Sequence, residues 1–203
     1  MNKDQLIQLL KYKGFSERIL NAFAKVPREN FILSAYKDYS YKDVALPIGY
    51  EATISQPYTI AFMLSLLELK KDMKVLEIGS GSGYVLALIS ELIGDKREVY
   101  GVEIVPELVS RSRKILKNYS NIKIYEASKE LGLKEKAPYD RILVSASADE
   151  LPEELTDQLK ENGIIVIPIK NSIFKITKKR GKITKEEFYG FAFVPLKTFN
   201  RKT

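Results

Sequence analysis

The sequence predicts an α/β protein with an open, mostly parallel, doubly wound sheet of seven strands, an N-terminal helical cap and an antiparallel edge. Two observations support this prediction. From residue 74 onward, short apolar runs alternate with helical patterns, which is the order of a parallel sheet with crossover helices. The runs at 74–78, 141–145 and 164–169 are nearly continuously apolar, as expected for strands covered on both faces.

Composition narrows the class of protein. The chain has 203 residues, enough for one domain with a full core, and it contains neither cysteine nor histidine. These absences remove disulfides, thiolate chemistry and the commonest general base and zinc ligand, so we expect no metal site. No apolar run reaches the roughly 18 residues that span a bilayer. The N-terminus lacks the apolar region of a signal peptide, so we expect a cytoplasmic protein without membrane contact.

The net charge of +7 is unevenly distributed along the chain. Residues 170–203 hold 10 basic and 2 acidic residues, whereas the remainder is nearly neutral. A solvated, lysine-rich hairpin and tail is the simpler explanation, and a contact surface for RNA or another polyanion is the alternative. A single aromatic residue among the tail charges, Phe199, is no stacking platform, so nucleic acid is not the expected partner.

The predicted elements divide the single domain into three parts. Residues 1–56 form two short amphipathic helices, the second capped by Ser16, and a tyrosine-rich connection at 36–54 that ends in a substrate loop. Residues 57–170 form the cofactor-binding core, and residues 171–203 form an antiparallel hairpin and a basic tail. The core strands are predicted at 74–78, 98–103, 122–125, 141–145 and 164–169. The core helices are predicted at 84–93, 106–117 and 152–160, the last one stopped by Asn162-Gly163, and the hairpin strands at 172–178 and 187–195.

A glycine turn follows the first core strand. Gly79, Gly81 and Gly83 alternate after Glu77, and a helical pattern follows them, so a small molecule can lie against bare backbone and helix N–H groups. The spacing differs from the dinucleotide fingerprint, and no basic residue lies near the turn to meet a phosphate. S-adenosylmethionine fits better, because Glu103 ends the second core strand and can accept hydrogen bonds from a ribose diol.

Over nearly its whole length the chain also resembles the protein-L-isoaspartate (D-aspartate) O-methyltransferase family. The most specific match is the Thr-Ile-Ser-Gln-Pro stretch at 53–57, upstream of the glycine turn. The other matching stretches are Val-Pro-Arg-Glu-Asn-Phe at 26–31, Ala-Leu-Pro-Ile-Gly at 45–49, 75–83, Ala-Pro-Tyr-Asp at 137–140 and Phe-Val-Pro-Leu at 193–196. The resemblance implies the Rossmann-like fold of class I S-adenosylmethionine-dependent methyltransferases.

The resemblance implies methylation of the free α-carboxylate of isoaspartyl residues in damaged proteins, as a repair reaction. It implies an active-site role for Ser55 with Thr53 beside it, whose hydroxyls would orient the substrate carboxylate. The alternative for Ser55 is that its side chain only caps the helix that begins at Gln56. The expected cofactor-binding residues are Glu77, Gly79, Ser80, Gly81, Gly83, Glu103, Ile104 and Ser128.

The sequence departs from the family pattern at two places. Ala127-Ser128-Lys129 stands where the family usually has Gly-Asp-Gly, whose aspartate accepts from the adenine amino group. Glu51 stands where the family commonly has glycine, and a carboxylate there is unfavourable unless it points away or pairs. Two alternatives to repair therefore stay open: a methyltransferase whose substrate has drifted, for instance to RNA, and a weakly binding, non-catalytic member of the family.

Overall fold

The computed structural model describes residues 1–199. Those residues form the strands β1 Leu46–Gly49, β2 Ala52–Ile54, β3 Val75–Ile78, β4 Val99–Glu103, β5 Ile122–Glu126, β6 Tyr139–Val144, β7 Leu159–Ile169, β8 Ser172–Lys179 and β9 Lys182–Tyr189. They form the helices α1 Lys3–Tyr12, α2 Glu17–Lys25, α3 Pro57–Leu66, α4 Tyr84–Ile93, α5 Pro106–Ile115 and α6 Glu153–Asp157. Short 3₁₀ turns lie at Arg28–Phe31, Ser34–Tyr39 and Lys134–Lys136.

Seven strands form one sheet in the order β5-β4-β3-β6-β7-β8-β9, while β1 and β2 pair only with each other. The strands from β5 to β7 are parallel, and β8 and β9 add an antiparallel edge. The predicted fold class is therefore confirmed. The boundaries of the three predicted parts, at 56 and 170, stay predictions. None of the helices in residues 1–199 is long and apolar enough to cross a membrane.

The inner strand β3 is buried at all four positions, which matches its nearly continuous apolar run, interrupted only by Glu77. Val75 faces one hydrophobic cluster and Leu76 the cluster on the opposite face, so the sheet is covered on both sides. Burial of each such side chain contributes about 1.5–3 kcal/mol. The turn that follows β3 therefore starts from a firmly held strand.

The N-terminal helices pack on α4, the helix that begins at the glycine turn. The rings of Phe23 and Phe31 lie 6.2 Å and 5.3 Å from the ring of Tyr84, the first residue of α4. Ser16 does occupy the N-cap position of α2, but its side chain makes no capping hydrogen bond. The helical cap thus supports the cofactor side of the sheet through aromatic packing.

Two predicted elements are placed differently in the structure. The helix predicted at 152–160 is only α6, Glu153–Asp157, and Asn162-Gly163 lies within β7, where the pairing with β6 shifts register. The second hairpin strand is β9, Lys182–Tyr189, because the turn at Arg180-Gly181 closes directly onto it. The connection predicted at 36–54 contains a 3₁₀ turn and the β1–β2 hairpin.

Candidate active site

The three glycines of the turn after β3 all adopt positive φ. The angles are 74° at Gly79, 51° at Gly81 and 84° at Gly83, a region that other residues rarely adopt. The amides of Gly79 and Ser80 donate to the carbonyl of Val102 on β4, at 2.8 Å and 3.1 Å. The turn is thereby fixed to the neighbouring strand, and its backbone faces the space above the sheet.

Glu103 ends β4, as predicted, and its carboxylate already binds the glycine turn. Oε2 accepts from the amide of Gly81 at 2.7 Å, and Oε1 accepts from the amides of Ile104 and Val105 at 2.8 Å and 3.0 Å. A carboxylate has about four acceptor positions, so capacity for a further donor remains. Glu103 therefore both orders the turn and presents an acceptor at its edge.

Glu77 lies beneath the turn and is buried. Burial raises the pKa of its carboxyl to about 8, a hydrogen bond from Ser145 opposes the rise, and the nearby charge of Glu103 adds to it. The Ser145 hydroxyl donates to Oε1 at 2.7 Å, while Oε2 has no hydrogen-bond partner. The hydroxyl of Ser80 is also buried without a partner. Buried polar atoms are rarely left unpaired, so these two are a cost that the turn carries in the fold.

Thr53 and Ser55 lie on the opposite side of the same space. Thr53 is in β2 and exposed, and Ser55 is half-buried just before α3. Neither hydroxyl makes a hydrogen bond within the described part of the chain. The capping role for Ser55 is wrong, because Gln56 is the N-cap of α3 and Asp43 Oδ1 accepts from the Tyr58 amide at 2.7 Å.

Two adjoining cavities bring the predicted residues together. The larger, about 280 Å³, is lined among others by Glu103, Ile104 and Ser128, and the smaller, about 40 Å³, by Ser55 and Glu77. Both are lined by Thr53, Gly79, Gly81 and Ser145, so the two are contiguous. Ser80 lines the smaller one and Gly83 lines neither; Gly83 is instead the N-cap of α4, beside Leu116.

The loop after β5 forms the far wall of the larger cavity, as its alignment with the family pattern implied. Ser128 and Lys129 are exposed there, and the Ser128 hydroxyl donates to the carbonyl of Glu130 at 3.1 Å. The hydroxyl keeps its acceptor lone pairs, because this bond uses only its proton. The charged acceptor of the family pattern is therefore replaced at this position by a neutral one.

A further wall, formed by residues 194–199, was not predicted as part of the site. The amide of Ser147 donates to the carbonyl of Val194, and the amide of Leu196 donates to the carbonyl of Ser147, both at 2.8 Å. The Phe-Val-Pro-Leu stretch at 193–196 was the only sequence signal for this wall. Lys197 and Glu51, which both line the larger cavity, form an ion pair at 2.7 Å. The carboxylate of Glu51 is therefore paired, which is one of the two conditions under which it is tolerated beside a carboxylate substrate.

Across residues 1–199, no group of three or more acidic, histidine or cysteine residues could hold a metal ion. The glycine turn, the strand-end carboxylate of Glu103, and the residues Thr53 and Ser55 line two contiguous cavities.

Comparisons with known proteins identify one family. The family model described as protein-L-isoaspartate(D-aspartate) O-methyltransferase matches residues 1–201. A protein-L-isoaspartate O-methyltransferase of Dictyoglomus turgidum is 46% identical over 202 residues, covering 96% of this chain and 90% of its own. The enzyme of the same name from Methanococcoides burtonii is 44% identical over 197 residues, covering 94% of this chain and 97% of its own.

Solved structures give the same answer. A structure described as a protein-L-isoaspartate O-methyltransferase from Plasmodium falciparum, bound to S-adenosyl-L-homocysteine, superposes with a TM-score of 0.82 at 30% identity, covering 97% of this chain and 99% of its own. Another protein-L-isoaspartate O-methyltransferase gives a TM-score of 0.88 at 30% identity; the match covers 96% of this chain and 65% of that longer one. The chain belongs to the protein-L-isoaspartate(D-aspartate) O-methyltransferase family.

Proposed function

We propose that this chain transfers the methyl group of S-adenosylmethionine to the free α-carboxylate of isoaspartyl residues in damaged proteins. The observation that carries the proposal is the shared cavity, where the glycine turn faces Thr53 and Ser55. The resulting ester collapses to a succinimide, which partly reopens as normal aspartate. The reaction therefore serves protein repair.

The turn fits the cofactor on two structural grounds. Its glycines expose bare backbone at positive φ, and Glu103 offers a carboxylate at the edge. We assign direct cofactor contact to the turn, to Glu103 and to the following Ile104. The other assigned residues are Glu77 and Gly83, which shape the turn from behind, and Ser128, at the adenine end.

The chemistry suits a chain without histidine or cysteine. When bound, S-adenosylmethionine supplies an electrophilic methyl group on a sulfonium sulfur. The substrate carboxylate has a pKa of about 3.5–4 and is already ionised, so no residue of this chain has to remove a proton. The hydroxyls of Thr53 and Ser55 donate to that carboxylate and hold one oxygen in line with the methyl group, while the cavity walls exclude water.

The test is methylation of an isoaspartyl peptide beside its normal aspartyl twin, with a labelled methyl donor. Base-labile label on the isoaspartyl peptide alone is the expected result. Label on RNA instead would favour the drifted substrate, and label on neither, without cofactor binding, would favour the non-catalytic alternative. Either result would overturn the proposal.

The role of Ser55 has its own test. Ser55→Ala removes one hydrogen bond to a charged group, worth about 1.5–3 kcal/mol, so kcat/KM for the isoaspartyl peptide should fall about 10- to 100-fold. Cofactor affinity should stay close to that of the parent chain. Ser65→Ala is the matched control, because that hydroxyl donates only to Phe62 O, at 2.7 Å on the exposed side of α3. Unchanged turnover in Ser55→Ala would refute the assigned role.

Three expectations about partners and location remain predictions. Damaged proteins are the proposed partners, nucleic acid is not expected to bind, and a cytoplasmic location follows only from the sequence-based expectation above. RNA offered as a methyl acceptor in the same assay, with and without the isoaspartyl peptide, tests the expectation about nucleic acid directly.

A further inference from the structure

Arg28 is a buried charge next to the proposed acceptor site. It lies in the 3₁₀ turn Arg28–Phe31 with none of its surface exposed. Its guanidinium makes no ion pair with the described residues, but it donates to four main-chain carbonyls. The distances are 2.9 Å to Ser40 O and 3.4 Å to Lys42 O from Nη1, and 3.2 Å to Val44 O and 3.0 Å to Ser55 O from Nη2.

Stability alone is a poor reason for this arrangement. Burial lowers the pKa of Arg28 to about 10, so the group stays charged at neutral pH. Taking a charge out of water is costly, and a hydrophobic side chain of similar volume often stabilises a fold equally well. The Nε atom of Arg28 is even left without a partner. What the guanidinium provides is a fixed geometry for the four carbonyls, which a rigid fork of donors can supply.

The four carbonyls belong to the two ends of one segment. Three lie at 40–44, and the fourth is that of Ser55, at the start of α3. Asp43, inside the first group, also accepts from the Tyr58 amide in the first turn of α3. The Ser55 carbonyl is therefore bound by Arg28, and the first turn of the helix that follows Ser55 is bound by Asp43. Its hydroxyl makes no hydrogen bond within residues 1–199 and lines the smaller cavity.

We propose that Arg28 is a positioning residue for methyl transfer: by binding the Ser55 carbonyl, it fixes the Ser55 hydroxyl toward the substrate carboxylate. The inference rests on the proposed function, in which Ser55 orients that carboxylate. Arg28 acts only through Ser55 and touches neither substrate nor cofactor. A lysine keeps the charge but has one nitrogen with three donors, so it cannot reproduce the four bonds that Nη1 and Nη2 of Arg28 make.

Arg141 offers a matched control. It is also buried, at 6% exposure, and it donates to the carbonyls of Leu67, Asp140 and Glu68, at 2.5, 2.7 and 3.5 Å. It pairs with Val75, the first residue of β3, so it lies at the end of the strands opposite the glycine turn. Arg141→Lys therefore disturbs a similar guanidinium–carbonyl cluster without reaching the cavities.

The experiment is a double-mutant cycle with Arg28→Lys, Ser55→Ala and the double variant, alongside Arg141→Lys. Activity is measured on the isoaspartyl peptide at saturating cofactor and expressed per cofactor-binding site counted by calorimetry, so unfolded molecules do not enter. Displacement of a reacting group by about 1 Å can cost about 100-fold, so we expect kcat in Arg28→Lys to fall about 10- to 100-fold. The dissociation constant of the cofactor should stay within about twofold, because Arg28 lines neither cavity.

The cycle separates a positioning role of Arg28 from a purely structural one. On the Ser55→Ala background, Arg28→Lys should have little further effect on kcat, since the two residues act as a unit. Arg141→Lys should lower Tm comparably and keep its kcat. The inference is overturned if the losses in kcat from Arg28→Lys and Ser55→Ala add in the double variant, or if kcat in Arg28→Lys is unchanged. It is also overturned if Arg28→Lys yields no protein that binds cofactor while Arg141→Lys folds. Unchanged activity in Ser55→Ala alone would overturn the proposed role of Ser55 as well.

Discussion

Restoring the missing adenine acceptor should tighten cofactor binding. The change is Ser128→Asp, in the loop that follows β5. Ser128 is exposed and its hydroxyl donates to Glu130 O at 3.1 Å, so position 128 offers adenine only a neutral acceptor. A hydrogen bond to a charged group contributes about 1.5–3 kcal/mol. Solvent exposure and the neighbouring carboxylate of Glu130 reduce this to about 1–2 kcal/mol, or roughly 5- to 30-fold in affinity.

Calorimetric titration with S-adenosylhomocysteine is the assay. That ligand lacks the sulfonium charge, so general attraction between a new carboxylate and a cation does not enter the comparison. Lys129→Gly alone is the control for backbone access at the neighbouring position, and we expect it to change affinity less than Ser128→Asp does. The gain should also disappear with the analogue in which a carbonyl replaces the adenine amino group.

Three outcomes would refute the reasoning. Unchanged or weaker affinity in Ser128→Asp would mean that adenine does not approach this loop. An equal gain with the amino and carbonyl analogues would mean that the new carboxylate acts on some other part of the ligand. An affinity of the parent chain already equal to that of family members with Gly-Asp-Gly would show that another group has taken over the contact.

Two further predictions concern acidic residues near the site. Glu77 has a pKa raised from 4.5 to about 8, so the folded chain keeps a proton that the unfolded chain loses. The free energy of unfolding should therefore fall as pH rises from about 5 to 8, and Glu77→Gln should flatten the accompanying fall in Tm. An unchanged slope of Tm against pH would mean that Glu77 ionises freely when folded. The side chains of Glu51 and Lys197 are 84% and 55% exposed, so Glu51→Gln should leave Tm unchanged. The same change removes a negative charge and should lower KM for the anionic peptide, most at low salt. A clear fall in Tm would contradict this expectation.

The sequence predicts the cofactor side of the site well, because that side is built locally. A strand, three alternating glycines and a helix occupy one short stretch, and positive φ at Gly79, Gly81 and Gly83 confirms why those residues are there. Glu103 also lies where strand order predicts it. Its bond to the Gly81 amide was not foreseen, since it depends on how closely β4 approaches the turn.

Non-local contacts account for what the sequence did not predict. Nothing near Asp43 in the sequence marks it as a hydrogen-bond acceptor for the first turn of α3, because it reaches the Tyr58 amide across the β1–β2 hairpin. The short α6 shows the same limit: Asn162-Gly163 resembles a helix stop locally, but pairing with β6 draws the chain into β7 from Leu159 onward. Likewise, the wall at 194–199 depends on bonds from Ser147, far away in the chain.

The unsatisfied polar atoms tie the two halves of the site together. Residues 1–199 contain three buried side-chain atoms without a hydrogen-bond partner: Arg28 Nε, Glu77 Oε2 and Ser80 Oγ. Each such atom costs about 1–3 kcal/mol. Glu77 Oε2 and Ser80 Oγ lie at the glycine turn, and Arg28 Nε belongs to the side chain that binds the Ser55 carbonyl. Under the proposed function, the cost falls on the two surfaces that position the donor and the acceptor of the methyl group.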